Sequence, residues 1–475
     1  MMEAIHEILR EPWFYTTLSL TYVLSIITVI LVIIGENRNP VKSLAWVTVL
    51  ILLPAVGLVL YIFFGRNIKN KRMISRRTKR RLLKKIKSPR NSSTPPAEYR
   101  PLAKLAQTIL GSPYLSGNEV DIFSLGTSKF ESLAEDLRHA RKFINLQYYI
   151  FQDDELGREI AAILKERARV GVKVRVIYDH VGSFSVRSDF FKQLKAAGVE
   201  AYPFFKVAFL PFASKVNWRN HRKIVIIDGE IGYIGGMNIA NRYLDGGKFP
   251  LWRDCHLRLE GPAVASLQYS FARDWSFMRD EVLDQECTFE ARGDVGVQAI
   301  TGGPMSQWNS IAHVFMRAII GAKKRIFLQT PYFLPPETLL KALQNAALSG
   351  IDVRIMMPRK SDSWMLSLST RSYIAECLRA GIKIYFFRPG MLHSKVLIID
   401  DNLSSVGSTN FDFRSFEHNF EANVILYSEE INERLRGIFL NDQSHSDRIY
   451  PDAWKRRPRL QRALESIVRL LAPIL

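Results

Sequence analysis

Two stretches near the start of the chain show no alternation of apolar and polar positions. Trp13 to Ile34 is uncharged over 22 residues. A helix of that length reaches roughly 33 Å, against roughly 30 Å for the hydrocarbon core of a bilayer. A second uncharged run, Leu44 to Phe64, follows a short polar turn. Together they predict a transmembrane helical hairpin. A cleaved secretory leader fits poorly, because the first run is too long, has no small-residue cleavage pattern behind it, and is followed at once by the second. Pro54 and Gly57 predict a kink, or a re-entrant segment, in the second run. Beyond residue 100 the pattern changes to β-branched runs closed by Gly-rich turns and separated by amphipathic stretches, the order expected of α/β units around a mostly parallel sheet.

That α/β pattern is written twice. Ile144-Asn-Leu-Gln147 matches Ile326-Phe-Leu-Gln329, Gly171-Val-Lys-Val-Arg-Val-Ile matches Gly350-Ile-Asp-Val-Arg-Ile-Met, and Ala197 to Tyr202 matches Ala380 to Tyr385. The first half carries a longer insert, Pro203 to Asn220. Duplication predicts two halves packed as a pseudo-two-fold pair with matching edges at the centre.

Charge changes the picture only through its placement. The net charge of the chain is +20, with 13 Lys or Arg and no acidic residue in 66–90. Residues 448–475 contribute seven basic and two acidic side chains, and residues 1–65 three basic and four acidic. What remains for 91–447 is about +3, little for a nucleic-acid enzyme, whose basic footprint lies on its folded body. The basic run beside the hydrophobic spans predicts a cytoplasmic body and N-terminal tail, and attraction to anionic head groups. In the tail, Leu460, Leu464, Ile467, Leu471 and Ile474 recur at helical spacing among Arg459, Arg462 and Arg469, the pattern of a basic amphipathic helix that lies on a membrane or docks on the body. Three scattered cysteines form no disulfide framework or zinc pattern.

Each half ends in a cluster with one spacing. The first is His221-Arg-Lys223 with Asp228, then Gly235-Gly236 and Asn238; the second is His393-Ser-Lys395 with Asp400, then Gly407-Ser408 and Asn410. On a buried strand His and Lys share a face. Asp228 and Asp400, five positions beyond Lys, are better placed to pin a turn than to do chemistry. The glycine pairs predict close approach of backbone to an anion, with Asn238, Asn410 and Ser408 as hydrogen-bond donors. Two His and two Lys suit a phosphodiester: cations meet the non-bridging oxygens, one imidazole attacks phosphorus, and the other protonates the leaving alcohol. A nucleophilic imidazole needs an acceptor on its other nitrogen. Asp254 in WRDCH and Glu421 in NFEAN are the candidates.

These residues resemble the phospholipase D superfamily, whose HKD motif HxK(x)4D(x)6G(S/G)xN occurs in duplicate, over residues 100–445. The segments ENRNPVKSLAW to YIFFG and the ending LLAPIL are similar to bacterial cardiolipin synthases. The resemblance implies a phosphatidyltransferase that joins two phosphatidylglycerols into cardiolipin and glycerol through a phosphohistidine. It implies His221, Lys223, Asp228, His393, Lys395 and Asp400 as the catalytic sets, with His221 or His393 as nucleophile; the sequence is symmetric enough to allow either, and His221 is the one expected. It also implies phosphate binding by Asn238, Asn410 and Ser408, histidine orientation by Asp254 and Glu421, no metal and no cofactor. Gly236 stands where Ser is common in the superfamily. Aromatics near the motifs, Tyr148, Tyr149, Tyr332, Phe333 and Trp252, are candidates for a lipid or glycerol pocket, although core packing suits most of them.

The expected organisation is a two-helix anchor over 1–65, a basic juxtamembrane linker over 66–100, two phospholipase D-like halves over 101–290 and 291–445, and a basic amphipathic helix over 446–475. The expected partners are membrane phospholipids and an anionic lipid surface, with no nucleic acid, at the inner membrane of a bacterial cell. A hydrolytic phospholipase D or another phosphatidyltransferase needs the same residues. A membrane-tethered nuclease fits the nearly neutral body less well, and a lipid-binding scaffold does not need two complete motifs.

Overall fold

The computed structural model of the chain describes residues 12–35, 40–61, 73–85, 93–206, 218–283 and 287–470. The N-terminal tail at 1–11, the turn at 36–39, the two ends of the basic run at 66–72 and 86–90, the centre of the insert at 207–217 and the end at 471–475, with Leu471, Ile474 and most of LLAPIL, lie outside them. Two units separate, residues 1–67 with 207–217, and residues 68–206 with 218–475. Each is described by itself.

In the first unit a 24-residue helix, Pro12–Gly35, carries no charged side chain. The second apolar run is two helices, Pro40–Leu52 and Pro54–Leu60. Leu53 leaves the helical region at φ −132° because proline crowds the residue before it and has no N–H to donate. Ile33, Leu50 and Tyr61 bury against one another, so the pair packs as a hairpin. Among the described residues no helix is long and apolar enough to cross a membrane. The expected spanning hairpin is therefore not shown by the described helices.

The second unit is built on one fifteen-stranded sheet. In chain order its strands are β1 (Leu115–Phe123), β2 (Phe143–Tyr148), β3 (Lys173–Asp179), β4 (Glu200–Phe204), β5 (Ile224–Ile227), β6 (Ile231–Gly235) and β7 (His256–Glu260), then β8 (Val295–Gly302), β9 (Arg325–Gln329), β10 (Asp352–Pro358), β11 (Lys383–Phe387), β12 (Val396–Ile399), β13 (Leu403–Gly407), β14 (Glu421–Tyr427) and β15 (Ser446–Ile449). Across the sheet they run β15-β11-β10-β9-β12-β13-β14-β8-β1-β7-β6-β5-β2-β3-β4. Read outward from the centre, β1-β7-β6-β5-β2-β3-β4 repeats as β8-β14-β13-β12-β9-β10-β11. The seam is the antiparallel pair β1/β8, which relates the halves by a pseudo-two-fold axis.

The expected mostly parallel sheet is corrected. Only β2-β3-β4 and β9-β10-β11 pair in parallel, and the other pairs of each half are antiparallel. The physical reason lies in the motifs themselves, since Asp228 and Asp400 take left-handed φ values of 56° and 51° and return the chain as a hairpin rather than through a helix. Each carboxylate fixes that turn by accepting backbone N–H groups at the start of the neighbouring strand. Asp228 takes Arg141, Lys142 and Phe143 at 2.7–2.8 Å, and Asp400 takes Lys323, Lys324 and Arg325 at 2.7–3.1 Å.

Burial on both faces explains the apolar runs. Along β5, Ile224 and Ile226 point into one core and Val225 and Ile227 into another; along β12, Val396 and Ile398 alternate with Leu397 and Ile399 in the same way. Helices Gly126–His139, Glu155–Arg169 and Ser188–Ala196 cover one face of the first half, and Ser310–Ile320, Glu337–Leu348 and Trp364–Arg379 that of the second. The opposite face shares one core across the seam beneath helices Val264–Arg279 and Glu429–Ser444. Gln147 and Gln329, the matched glutamines, donate to Asp274 and Asp442 on those two helices at 2.7 and 2.9 Å. The same aspartates pair with buried Arg222 and Arg253. The basic stretch Arg76–Lys85 is a helix with Leu82 buried in the shared core, so this part of 66–100 docks on the body.

Candidate active site

Both histidines stand where β5 and β12 begin, at the ends of the sheet where the parallel strands finish. Cross-connections between the halves place them. The His221 N–H donates to the Phe420 carbonyl at 2.9 Å, and the His393 N–H to that of Arg253 at 2.6 Å. Trp252–Arg253 and Met391–Leu392 pair as short parallel strands. Phe420 and Arg253 are the residues just before Glu421 and Asp254, so each half delivers its carboxylate to the other half's histidine. His221 Nδ1 lies 3.0 Å from Glu421 Oε1 and 3.1 Å from the Ser408 carbonyl oxygen. His393 Nδ1 lies 2.6 Å from Asp254 Oδ2.

The lysines sit beside the rings. Lys223 Nζ donates to its own motif's His221 carbonyl at 2.6 Å. Lys395 Nζ donates to the His393 carbonyl and stands 2.8 Å from His393 Nδ1 and 4.0 Å from Asp254 Oδ2. The chemistry follows from burial. Loss of water lowers the His221 pKa against the opposing pull of Glu421. Burial and then Lys395 bring His393 down to about 4. Burial works to raise the Glu421 carboxyl, but His221, Lys223 and the Ser408 hydroxyl outweigh it and hold it below its usual value. Burial also depresses both lysines, Lys395 to about 8. At neutral pH the rings are therefore uncharged, and Lys395 is largely cationic.

Both histidines open into a cavity of about 260 Å³ that is also lined by Asn238, Asn410, Tyr149, Trp252 and Tyr332. Of the five aromatics singled out from sequence, these last three reach the cavity. Tyr148 and Phe333 are buried in the cores of their halves. Tyr149 packs edge-on to His221 with ring centroids 4.9 Å apart, and Trp252 lies 5.5 Å from His393. Among the described residues no group of three or more His, Cys, Asp or Glu side chains is arranged to hold a metal ion.

Several expected roles change with the geometry. Asp228 and Asp400, placed with the catalytic sets, serve the hairpin turns and do not line the cavity. Ser408, expected on phosphate, spends its hydroxyl on Glu421 and receives the Ala422 N–H at 3.0 Å. Its counterpart Gly236 is required for a different reason: a Cβ there would lie 2.1 Å from Asp254 Oδ1. The glycines before them, Gly235 and Gly407, make room for the adjoining strand rather than for an anion, since a Cβ would meet His256 Cα and Asn423 Cα at 2.5 Å. Asn238 is engaged already, donating to the Tyr243 hydroxyl at 2.8 Å and accepting the Ile150 N–H at 3.1 Å. Asn410 has no partner for its buried Oδ1 among the described residues. Sequence reasoning missed Arg242 and Arg414, which also line the cavity. The available signal was position, each lying four residues after a motif asparagine.

A family model for the cardiolipin synthase phospholipase D-like domain matches residues 133–275 and 315–443, more than half of the chain and one segment in each half. The chain belongs to the phospholipase D-like cardiolipin synthase family. A phospholipase D-nuclease N-terminal model matches residues 23–66. The cardiolipin synthase of Geobacillus kaustophilus (strain HTA426) is 41% identical over 465 residues, covering 95% of this chain and 92% of that one. The major cardiolipin synthase ClsA of Bacillus subtilis (strain 168) is 38% identical over 475 residues, covering 96% and 98%. Among solved structures, phosphatidylserine synthase of Haemophilus influenzae Rd KW20 aligns with a TM-score of 0.60 at 15% identity, over 79% of this chain and all of that one. That likeness concerns the fold. The β1/β8 seam lies outside both matched segments, and the histidines of the two motifs line one cavity.

Proposed function

We propose that the chain is a phosphatidyltransferase that converts two phosphatidylglycerols into cardiolipin and glycerol through a phosphatidyl-histidine. The observation that carries this reading is the crossed pairing of His221 with Glu421 and His393 with Asp254 around one cavity. His221 Nδ1 faces only acceptors, Glu421 and the Ser408 carbonyl, which holds its proton there and leaves the Nε2 lone pair for attack. His393 Nδ1 faces both an acceptor and a donor, Asp254 and Lys395, a setting suited to gaining and losing a proton at Nε2. His221 is thus the nucleophile.

In the first step a bond forms between His221 Nε2 and phosphorus, the phosphorus–oxygen bond to glycerol breaks, and His393 gives that oxygen its proton. The phosphodiester brings the negative charge that raises His393 enough to carry the proton. In the second step the free primary (3′) hydroxyl of another phosphatidylglycerol's head-group glycerol loses its proton to His393, attacks phosphorus and displaces His221. Lys223, Lys395 and the Asn410 amide meet the non-bridging oxygens. Asp254 and Glu421 act by orienting the rings, and Asn238 by bracing Tyr243. The chemistry as written calls for no metal and no cofactor.

The N-terminal unit is the membrane anchor in this reading. Its support is the uncharged Trp13–Ile34, the 24-residue helix around it, and the matching N-terminal family segment. The basic run favours the cytoplasmic side of the bacterial membrane for the body and N-terminal tail. Anchoring favours a lipid acceptor over water or a soluble alcohol by confinement, and the nearly neutral body favours lipid over nucleic acid. The organisation that goes with it is an anchor over 1–65, basic segment over 66–100, halves over 101–290 and 291–445, and terminal helix over 446–475.

The test is turnover of labelled phosphatidylglycerol as the only lipid, with and without EDTA, by wild type, His221→Ala and His393→Ala. Cardiolipin and glycerol in equal amounts, from wild type alone and insensitive to EDTA, is the expected result. Phosphatidic acid as the main product would assign hydrolysis instead.

A further inference from the structure

Cardiolipin differs from the enzyme's donor in having two phosphates joined by a three-carbon bridge, so the acceptor brings a second anion beside the reacting one. The catalytic lysines and Asn410 account for the first. We propose that Arg242, stacked on Trp252, binds the non-reacting phosphodiester of the acceptor and selects a phosphatidyl-bearing alcohol over glycerol or water. This rests on the phosphatidyltransferase reading and on His221 as nucleophile.

Position comes first. When His221 holds the phosphatidyl group, glycerol leaves and the acceptor enters on the face served by His393. On that face Trp252 lies 5.5 Å from the His393 ring, Tyr243 lies 6.1 Å from it, and the Arg242 guanidinium sits 5.3 Å over Trp252. Arg242 and Trp252 both line the cavity.

Availability comes next. Arg219, also on the cavity wall, is committed to buried Asp179 at 3.3 Å. Arg242 makes no ion pair with a carboxylate among the described residues, and its Nε is buried without a hydrogen-bond partner there. Trp252 is 4% exposed, and its indole N–H likewise has no partner among the described residues. Two unsatisfied buried donors on one stack are costly unless something accepts from them. A phosphodiester offers acceptors to such donors, and a planar guanidinium suits it particularly well. The bulk of Trp252 fixes the guanidinium plane.

The experiment compares two reactions of the full-length enzyme in mixed micelles containing phosphatidylglycerol. One is cardiolipin formation. The other is exchange of labelled glycerol into phosphatidylglycerol, which uses the same donor step and the same His393 but an acceptor without phosphate. Arg242→Gln is expected to lower cardiolipin formation at least about tenfold more than glycerol exchange, and to raise the phosphatidylglycerol fraction needed for half-maximal synthesis. Arg242→Lys is expected to recover part of that ratio. Equal loss of both reactions in Arg242→Gln, or an unchanged ratio, overturns the proposal, because Arg242 then serves the reacting phosphate or the fold. Wild-type enzyme that gives phosphatidic acid but neither cardiolipin nor exchange overturns the transferase reading itself, and Arg242's role with it.

Discussion

At the residue scale the two halves are equivalent in plan and different in detail. Ser408 supports Glu421, whereas at the matching position Asp254 occupies the space a side chain would need. Gly236→Ser therefore places atoms against Asp254 Oδ1 and is expected to cost more than about 2 kcal/mol and to abolish turnover. Ser408→Ala removes the hydroxyl's bonds to Glu421 and to the Ala422 N–H and is expected to cost about 1–2 kcal/mol with activity retained. Thermal unfolding and turnover of both variants check this, and equal effects would contradict it. Acid stability is a second test. His393 has a folded pKa of about 4, below the ordinary value near 6.5. The unfolded chain therefore binds the proton more readily in that window, and this contribution is lost as pH falls from about 6.5 towards 4. His393→Asn is expected to flatten the loss of stability between pH 6.5 and pH 4.5, measured as the unfolding midpoint against pH. An unchanged slope would show that His393 contributes nothing to it.

At the element scale, the periodicity that gave the strands, helices and duplicated units was legible because burial on two faces leaves uninterrupted β-branched runs. The mixed direction of the sheet was missed although Asp228-Gly229 is a hairpin signal, since the repeats on either side of it read as crossover units. The terminal helix shows why an amphipathic pattern alone does not say which face docks. Helix Arg459–Arg469 turns Leu460, Leu464 and Ile467 outward and buries Glu465 and Val468. Arg457 holds Glu465 at 2.7 Å, and Arg469 holds Glu376 at 2.7 Å. An outward leucine face flanked by arginines is suited to the head-group region of an anionic bilayer. A fluorophore on Leu464→Cys is expected to be quenched by spin-labelled lipid in vesicles rich in phosphatidylglycerol. Absence of quenching, with the body active in the same vesicles, would make this helix a solvent-facing cover.

At the scale of the whole molecule, the site exists only because the halves exchange carboxylates. The sequence showed both carboxylates and both histidines, but not the crossing, because nothing in a linear spacing says that Phe420 pairs with Asn220. Arg242 escaped for a similar reason: it stacks on nearby Trp252, but what brings that stack to the site is the His393 ring of the other half, 5.5 Å from Trp252. Arg222 ties the seam together. It pairs with Asp274 and donates to the carbonyls of Gly302 at 2.9 Å and Glu421 at 3.1 Å, across the two halves. Arg222→Ala removes the closest cation from buried Asp274, which among the described residues keeps only the Arg273 cation at 3.7 Å, and is expected to cost about 3 kcal/mol, read as a lowered unfolding midpoint; a shift no larger than that of a surface arginine would contradict a shared core.

The most direct test of the whole account is to trap the intermediate. The enzyme is mixed with phosphatidylglycerol labelled in its phosphate, quenched within one turnover under conditions that preserve phosphohistidine, digested and read by mass spectrometry. The account predicts label on His221 in the wild type, none in His221→Ala, and a slower-forming but longer-lived adduct on His221 in His393→Ala, which lacks both the acid of the first step and the base of the second. Label on His393 instead would reverse the assigned roles, and cardiolipin formed at full rate without any labelled histidine would contradict the mechanism.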